Sequence, residues 1–169
     1  MASLVVLFMS LSAMAYSQED NSDIDTILER KNNIDLSIGG NGLFASFNYS
    51  RVLMVKSNYF IQASAGIGIV PFVDGITLPI QGTLNLGKKN SFLELGIGGT
   101  YLSGTKNTSG NSEKTNSYQL SPIIGWRKHF NSNLVFRAYA NPLFHISGEY
   151  FVEDYPVVPY LGISLGYSF

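Results

Sequence analysis

The stretch Tyr160–Phe169 reads YLGISLGYSF, and its side chains fall into two alternating files. One file contains only large apolar side chains: Leu161, Ile163, Leu165, Tyr167 and Phe169. The other is small or polar apart from one tyrosine: Tyr160, Gly162, Ser164, Gly166 and Ser168. Successive side chains of a β-strand point to opposite faces. This pattern therefore predicts a strand with one apolar face and one face of mostly small or polar side chains. The face of small or polar side chains carries no charge, so we interpret it as the lining of a crowded, water-containing lumen. We interpret the apolar face as a surface in contact with lipid.

Seven more segments alternate in the same way, and turn residues separate them. They cover residues 34–39, 43–50, 59–69, 76–86, 93–101, 118–130 and 134–145. Short connections near residues 56, 88 and 131 alternate with longer, more polar ones at 71–75, 103–116 and 146–158. Periplasmic turns and outer loops alternate in this way in membrane barrels. The sequence therefore predicts an all-β fold, an eight-stranded antiparallel up-and-down transmembrane β-barrel with both termini periplasmic.

The first hairpin is predicted to reverse tightly at Gly39-Gly40-Asn41-Gly42, because glycine and asparagine tolerate positive φ. After this reversal, Leu43 is expected to begin the lipid-facing file of the second strand.

Composition fits this architecture and excludes several others. The 169 residues are 45% hydrophobic and only 14% charged, well below the quarter expected of a soluble domain. The net charge of -1 gives no reason to expect a nucleic-acid partner. There is no cysteine, and His129 and His145 are isolated, so we predict neither a metal site nor a cofactor.

The first residues carry an export pattern. A short apolar run is followed by Ala13-Met14-Ala15, which fits a signal peptide over residues 1–15, cut after residue 15 to 18. Residues 19–33 are polar and are interpreted as a periplasmic lead-in, so the barrel is assigned to 34–169.

The alternation of side chains along each strand, which we call parity, places four charged residues inside the barrel: Asp35, Glu94, Arg127 and Arg137. The energetics agree, since an arginine on the lipid face near mid-bilayer would cost about 2–4 kcal/mol. We expect the two acids and two guanidiniums to pair in a polar network that plugs the lumen. A gated ion path through a rearranging salt bridge is the alternative.

Aromatic residues gather near the predicted strand ends: Tyr49, Tyr59, Tyr101, Tyr118, Trp126, Phe130, Tyr155, Tyr160, Tyr167 and Phe169. Such rings are typical of the girdles at membrane interfaces. A carbohydrate-stacking platform is the alternative for Tyr150, Phe151 and Tyr155 in the last predicted loop.

One constellation suggests catalysis weakly. His145, Ser147 and Glu149 alternate near the outer end of the seventh strand, a spacing at which a base, a nucleophile and an orienting acid share one face. The His-x-Ser pattern faintly resembles that of outer-membrane lipid A deacylases, although its usual surrounding residues are absent. A strand end running into a Ser/Gly loop is the simpler interpretation, so no catalytic residues are assigned.

Several motifs together resemble the small outer-membrane β-barrel proteins of Bacteroidetes-type bacteria, within the OmpA-like, porin-like barrel superfamily. They span about 33–169: the Gly39–Gly42 turn leading to Asn48-Tyr49, Thr77-Leu78-Pro79 leading to Asn85, Gly87-Lys88-Lys89-Asn90 with Phe92–Gly96, Ser121-Pro122-x-x-Gly125-Trp126-Arg127, and the closing Gly162–Phe169.

The resemblance implies a fold and a membrane but no catalytic residues. It implies that Gly162, Leu165, Tyr167 and Phe169 form a C-terminal signal read by the barrel-assembly machinery. We expect a non-enzymatic, monomeric outer-membrane protein with lipid as its main partner and a structural or surface role. The alternatives are a soluble lipocalin-like binder of small molecules, which would need an aliphatic interior and a charged exterior, and the lipid A deacylase.

Overall fold

The computed structural model describes residues 30–71, 74–108, 111–148 and 157–169. The predicted signal peptide, most of the lead-in, Glu149 and Tyr150–Tyr155 lie outside these ranges. The described chain is almost entirely strand: β1 (Asn32–Gly39), β2 (Ala45–Lys56), β3 (Tyr59–Val70), β4 (Gly75–Lys88), β5 (Ser91–Thr108), β6 (Asn111–His129), β7 (Leu134–Ala140), β8 (Leu143–Gly148), β9 (Val157–Val158) and β10 (Leu161–Ser168). A 3₁₀ turn, Gly40–Gly42, lies between β1 and β2.

These strands form one closed antiparallel barrel. Each strand from β1 to β6 pairs with the next, β7 and β8 both pair with β6, and β10 pairs with β7 and with β1. The seventh barrel strand is therefore made of β7 and β8, and the eighth of β9 and β10. Pro142 lies at the interruption between β7 and β8, where a proline has no N–H to donate to the ladder. The predicted eight-stranded antiparallel barrel is confirmed.

Closure depends on the stretch with which the sequence analysis began. In the β1–β10 seam, Asn33 lies opposite Ser168 and Gly39 opposite Gly162. Asn32 and Phe169 exchange two backbone hydrogen bonds of 3.0 and 2.8 Å at the end of this seam. Pairing the first strand with the last removes the open edges that a free sheet would expose.

The barrel is apolar outside and polar inside, as the alternation predicts. Its exposed side chains include Leu36, Ile38, Ile80 and Leu161, and the buried polar residues outnumber the buried apolar ones among the described residues. A water-soluble protein of this size would bury its aliphatic side chains instead. No helix within the described ranges is long and apolar enough to cross a bilayer.

The two ends of the barrel differ. We call the end at which β1 begins, β10 ends and the turns at 57–58, 89–90 and 130–133 lie the termini end. The opposite end, at which β1, β3, β5 and β8 end, is the loop end.

The first hairpin differs from the prediction at Leu43. This residue is 0% exposed and has a φ of 66°, so it points into the barrel instead of beginning the lipid-facing file. Positive φ values at Gly39 and Gly40 turn the chain inward, and the 3₁₀ turn folds into the mouth of the barrel. The tight reversal was predicted correctly, but its direction was not.

The connection predicted over 103–116 is a hairpin and not an irregular loop. The ladder between β5 and β6 continues from Ser103 opposite Asn116 to Thr108 opposite Asn111. β4 pairs with β5 only as far as Ser103, so the hairpin projects beyond its neighbour on that side. The polar residues of this segment lack the apolar alternation that marks the membrane-embedded part of a strand, which is why sequence periodicity misses it.

Candidate functional site

The lumen holds an ion cluster at mid-height. The Glu94 carboxylate accepts hydrogen bonds from Arg127 Nε at 3.0 Å and from Arg137 Nε at 3.0 Å, and Arg137 Nη2 makes a further bond to it. All three side chains are no more than 2% exposed. Strand register explains the meeting, since Glu94 lies opposite Gly125 on β6, and Arg127 lies opposite Arg137 on β7. One carboxylate therefore joins two guanidiniums in a fork-like arrangement.

Each guanidinium has further contacts besides its bonds to Glu94. Arg127 Nη1 donates to the Gln62 side-chain oxygen at 2.6 Å, and its guanidinium lies 5.9 Å from the Phe60 ring centroid. The Arg137 guanidinium lies 4.7 Å from the Tyr139 ring centroid, a cation–π distance. These contacts compensate part of the hydration that the buried cations lose.

Asp35 differs from the prediction of a second acid paired with arginine. Its carboxylate is held by neutral donors: the Asn33 amide at 3.2 Å, the Ser37 hydroxyl at 3.0 Å and the Asn48 amide at 3.1 Å. It still supplies a second negative charge that acts on both guanidiniums through space. The two acids thus balance the two arginines in charge, while Glu94 alone makes the direct ion pairs described here.

Asn41, at the centre of the inward 3₁₀ turn, is the centre of a hydrogen-bond network at the loop end of the lumen. Its side-chain oxygen accepts from the Ser121 hydroxyl at 2.6 Å and from the Asn141 amide at 2.7 Å. Its backbone oxygen accepts from the Thr100 hydroxyl at 2.7 Å, and the neighbouring Gly42 carbonyl accepts from Thr77 at 3.0 Å. These bonds tie the turn to β4, β5, β6 and the β7–β8 junction, so the turn acts as a fixed plug.

Gln81 connects this plug to the ion cluster. Its side-chain amide lies 3.1 Å from the Asn41 amide nitrogen. With its oxygen turned toward Arg137, it accepts from both terminal guanidinium nitrogens at 3.2 Å and from the Ser64 hydroxyl at 2.9 Å. A continuous polar network therefore runs from the loop end of the lumen to its middle.

Apolar clusters cap this network at both ends. At the loop end, Leu43, Val70, Leu102 and Leu143 pack together with partial cover from Tyr160. At the termini end, a second cluster is formed by buried side chains of β2, β3 and β5: Val52, Phe60 and Phe92. The His129 ring packs edge-on against both phenyl rings, with centroids at 6.0 and 5.7 Å. The polar network thus lies between two apolar layers, as expected for an eight-stranded interior filled by its own side chains.

Three glycines make room for Tyr139. It lies between Gly125 on β6 and Gly162 on β10, its direct partners across the two ladders. A methyl group added at Gly40, Gly125 or Gly162 would approach Tyr139 atoms to 2.1, 2.5 and 2.5 Å respectively. Since contacts this short do not occur, these positions require glycine while Tyr139 keeps its place under Arg137.

The weak catalytic alternative does not assemble on one face. His145 lies opposite the buried Gln119, whereas Ser147 lies opposite the exposed Tyr118, because an irregularity at Ile146 breaks the alternation. Residues directly opposite each other in an antiparallel ladder share a face, so His145 and Ser147 point to different sides. His145 Nδ1 instead lies 3.4 Å from the Ser117 hydroxyl, and Glu149 is outside the described residues.

Most of the predicted girdle residues in the described ranges lie on the outer surface near the two rims. At the loop end, the Tyr101 and Tyr118 rings stack with centroids 4.9 Å apart. At the termini end, the Tyr49 hydroxyl donates to Asn32 at 2.7 Å, and the Trp126 indole donates to the Ser91 hydroxyl at 2.7 Å. Tyr160 is the exception, because it packs inward against the apolar cap.

The residues proposed as an assembly signal lie along β10 and just after it. Leu165, Tyr167 and Phe169 are exposed on the apolar outer face, and Gly162 lies inside against Tyr139.

No group of three His, Cys, Asp or Glu side chains among the described residues is placed to hold a metal ion. Sequence reasoning missed the inward position of Asn41 and Leu43, because they belong to a Gly/Asn-rich stretch whose composition suits an exposed turn. Tyr139 lies two residues after Arg137 on the same strand, so the alternation of side chains also places it inside.

Comparison with solved structures finds the same fold in the N-terminal β-barrel domain of Pseudomonas aeruginosa OprF. The two share 13% sequence identity and a TM-score of 0.60, over 83% of this chain and 98% of that chain. Neisserial surface protein A (11% identity, TM-score 0.46, 82% and 95% covered) and Ail, the attachment invasion locus protein of Yersinia pestis (13%, 0.48, 82% and 97%), are more distant matches. No protein-family model and no curated protein sequence matches the chain. At such low identities the OprF likeness establishes the fold alone.

Proposed function

We propose that this chain is an integral, non-enzymatic protein of the bacterial outer membrane. The observation that carries the proposal is the inversion of the barrel, with aliphatic side chains exposed around its wall and a charged, hydrogen-bonded network sealed inside. An exposed apolar belt of this extent is stable only against hydrocarbon or a partner surface. The aromatic rims at both ends of the belt support the membrane.

The proposed role is structural: the barrel anchors the connections of its loop end at the cell surface, with both termini in the periplasm. The short turns at the termini end and the projecting β5–β6 hairpin at the other end support this orientation. The sealed lumen supports an anchor that does not conduct solutes. As part of the same proposal, the protein is monomeric, is assembled through β10 and belongs to the Bacteroidetes-type barrels that its motifs resemble.

The two alternatives have less support. A lipocalin-like binder needs an aliphatic cavity, whereas this lumen is filled with polar side chains between two apolar caps. A lipid A deacylase needs His145 and Ser147 on one face, and the register across Ile146 separates them.

A surface-accessibility experiment tests location and orientation together. An epitope inserted between Ser109 and Gly110, in the sequence that connects β5 to β6, is expected to bind antibody on intact cells. The same epitope inserted at the exposed Ser57-Asn58 turn of the termini end is the matched control, which is expected to bind only after the outer membrane is permeabilised. The reverse pattern would refute the orientation, and binding by neither insert before permeabilisation would refute surface display.

A further inference from the structure

The charges on the outside of the barrel are distributed unevenly. The termini end carries a set of exposed basic side chains that we call the basic collar: Lys31, Arg51, Lys56, Lys88, Lys89 and Lys128, of which Lys128 is half-buried. No acidic side chain among the described residues lies on the outer surface at this end, since Asp35 and Glu94 are buried in the lumen, Asp74 lies at the loop end, and Glu113 belongs to the β5–β6 hairpin at the loop end. Within the described ranges, the collar is therefore a surface of basic side chains only, on a chain whose net charge is -1.

Four of the collar side chains, those of Arg51, Lys56, Lys88 and Lys128, lie on strands of the barrel wall, whereas Lys31 precedes β1 and Lys89 lies in the turn after β4. Arg51 follows the exposed Tyr49 by two residues, so both face outward on β2. Lys128 follows Trp126 in the same way on β6, and its ammonium lies 5.6 Å from the ring of Phe130. Arg51 and Lys128 thus continue lipid-facing files just beyond the aromatic rim, and Lys56 and Lys88 lie opposite Tyr59 and Ser91 on the adjacent strands.

This position is the level of lipid headgroups. Lysine and arginine stems lie along apolar surface while their charged ends reach the polar layer. The collar side chains on β2, β4 and β6 cover an arc of the barrel wall that extends from β2 to β6. An arc of cations at this level fits phosphates that approach it from the surrounding lipid.

We propose that the basic collar binds the headgroups of anionic phospholipids in the leaflet next to the termini end. This inference rests on the proposed membrane location. It adds a lipid class, because zwitterionic headgroups offer the collar no net charge. Each lysine or arginine near a membrane surface contributes about 1 kcal/mol toward anionic lipid, which is about a fivefold local enrichment.

The chain contains its own reporter of this enrichment. Trp126 is the one tryptophan, and its indole donates to Ser91, which lies opposite Lys88 on one side and Lys128 on the other. Neighbouring strands are about 4.8 Å apart, so both lysines lie within about 10 Å of this position. Lipids drawn to them approach the indole.

The test uses the mature chain in vesicles of phosphatidylcholine and phosphatidylglycerol at a molar ratio of about four to one, with acyl-chain bromine on one lipid or on the other. Bromine quenches Trp126, and quenching per mole of brominated lipid is expected to be several-fold stronger for phosphatidylglycerol, about fivefold for one lysine within reach. High salt is expected to reduce this preference because it screens the charges. Equal quenching per mole by both lipids in low salt would overturn the proposal.

Matched variants locate the effect. Lys88→Gln with Lys128→Gln is expected to abolish the preference, whereas Lys106→Gln with Lys114→Gln, which removes the same charge from the β5–β6 hairpin, is expected to leave it intact. A preference that survives the first pair would also overturn the proposal. So would a preference that appears only after residues Glu19, Asp20, Asp23, Asp25 and Glu29 are neutralised, because the chain's own acidic segment would then occupy the collar.

The same samples separate this inference from the proposed function. A gel-mobility difference between boiled and unboiled protein reports barrel insertion in each vesicle preparation. Insertion without lipid preference contradicts the collar alone, whereas failure to insert contradicts the membrane protein itself. Vesicles carry both lipids in both leaflets, so the result does not depend on orientation.

Discussion

Replacing Glu94 with glutamine is expected to lower the free energy of unfolding by about 3–5 kcal/mol, because the change leaves two buried guanidiniums without their anion. Arg127 and Arg137 are no more than 2% exposed and lie between two apolar caps, so we expect little water to replace the carboxylate. Equilibrium urea unfolding of the barrel in lipid vesicles measures the change through the transition midpoint.

Two further variants sharpen this prediction. Asp74→Asn removes the same charge from an exposed site at the loop end, where φ is 40° and asparagine tolerates it, so a loss below about 0.5 kcal/mol is expected. Glu94→Gln combined with Arg137→Gln is expected to be no less stable than Glu94→Gln alone, because it removes one uncompensated cation. A loss below about 1 kcal/mol for Glu94→Gln would mean that water reaches the cluster and that the lumen is open.

Replacing Ile80 with arginine is expected to destabilise the protein in vesicles by about 2–4 kcal/mol. Ile80 is 62% exposed at the middle of β4, opposite Ala65 and Gly99 on the adjacent strands. In a membrane this position lies near the centre of the hydrocarbon, where a guanidinium loses its hydration. In water, the same change at an exposed position would alter the stability by no more than about 0.5 kcal/mol.

The matched control is the same chemistry at the rim of the belt. Leu161→Arg, at a residue 75% exposed where β10 begins near the loop end, is expected to cost about 0–1 kcal/mol, because the guanidinium reaches the headgroups. Equally small losses for both variants would show that the exposed aliphatic face is not in contact with lipid.

The barrel wall could be predicted from the sequence because its signal is local and repetitive. Leu161 to Phe169 alternate with small residues over a full strand, and glycine-rich or polar turns recur at the spacing of a membrane crossing. Parity alone then places Glu94, Arg127, Arg137 and Tyr139 inside. Which of these side chains touch each other follows from strand register, which alternation does not define.

The plug at the loop end of the lumen could not be predicted from the sequence. Asn41 and Leu43 belong to a stretch whose composition suits an exposed turn, and the inward direction depends on positive φ at three residues, Leu43 among them. Leucine rarely adopts that conformation, so no propensity rule points to it. The contacts that stabilise it reach Ser121 and Asn141, which are 80 and 100 residues away in sequence.

The catalytic alternative failed for a related reason. An alternating His145, Ser147 and Glu149 would share a face in a regular strand, but one extra residue at Ile146 reverses the parity between the first two. Such irregularities near sheet rims carry no sequence signature in this chain, so a period-2 pattern near a strand end is weak support for a site.

The most direct test of the membrane barrel is the gel mobility of the protein in isolated outer-membrane fractions, boiled and unboiled, beside a variant that lacks Phe169. A closed lipid-embedded barrel resists cold detergent, so we predict a shift on boiling that is confined to this fraction and weaker without Phe169, which exchanges two backbone hydrogen bonds with Asn32. A soluble periplasmic protein with no shift would contradict the account and favour the lipocalin-like binder.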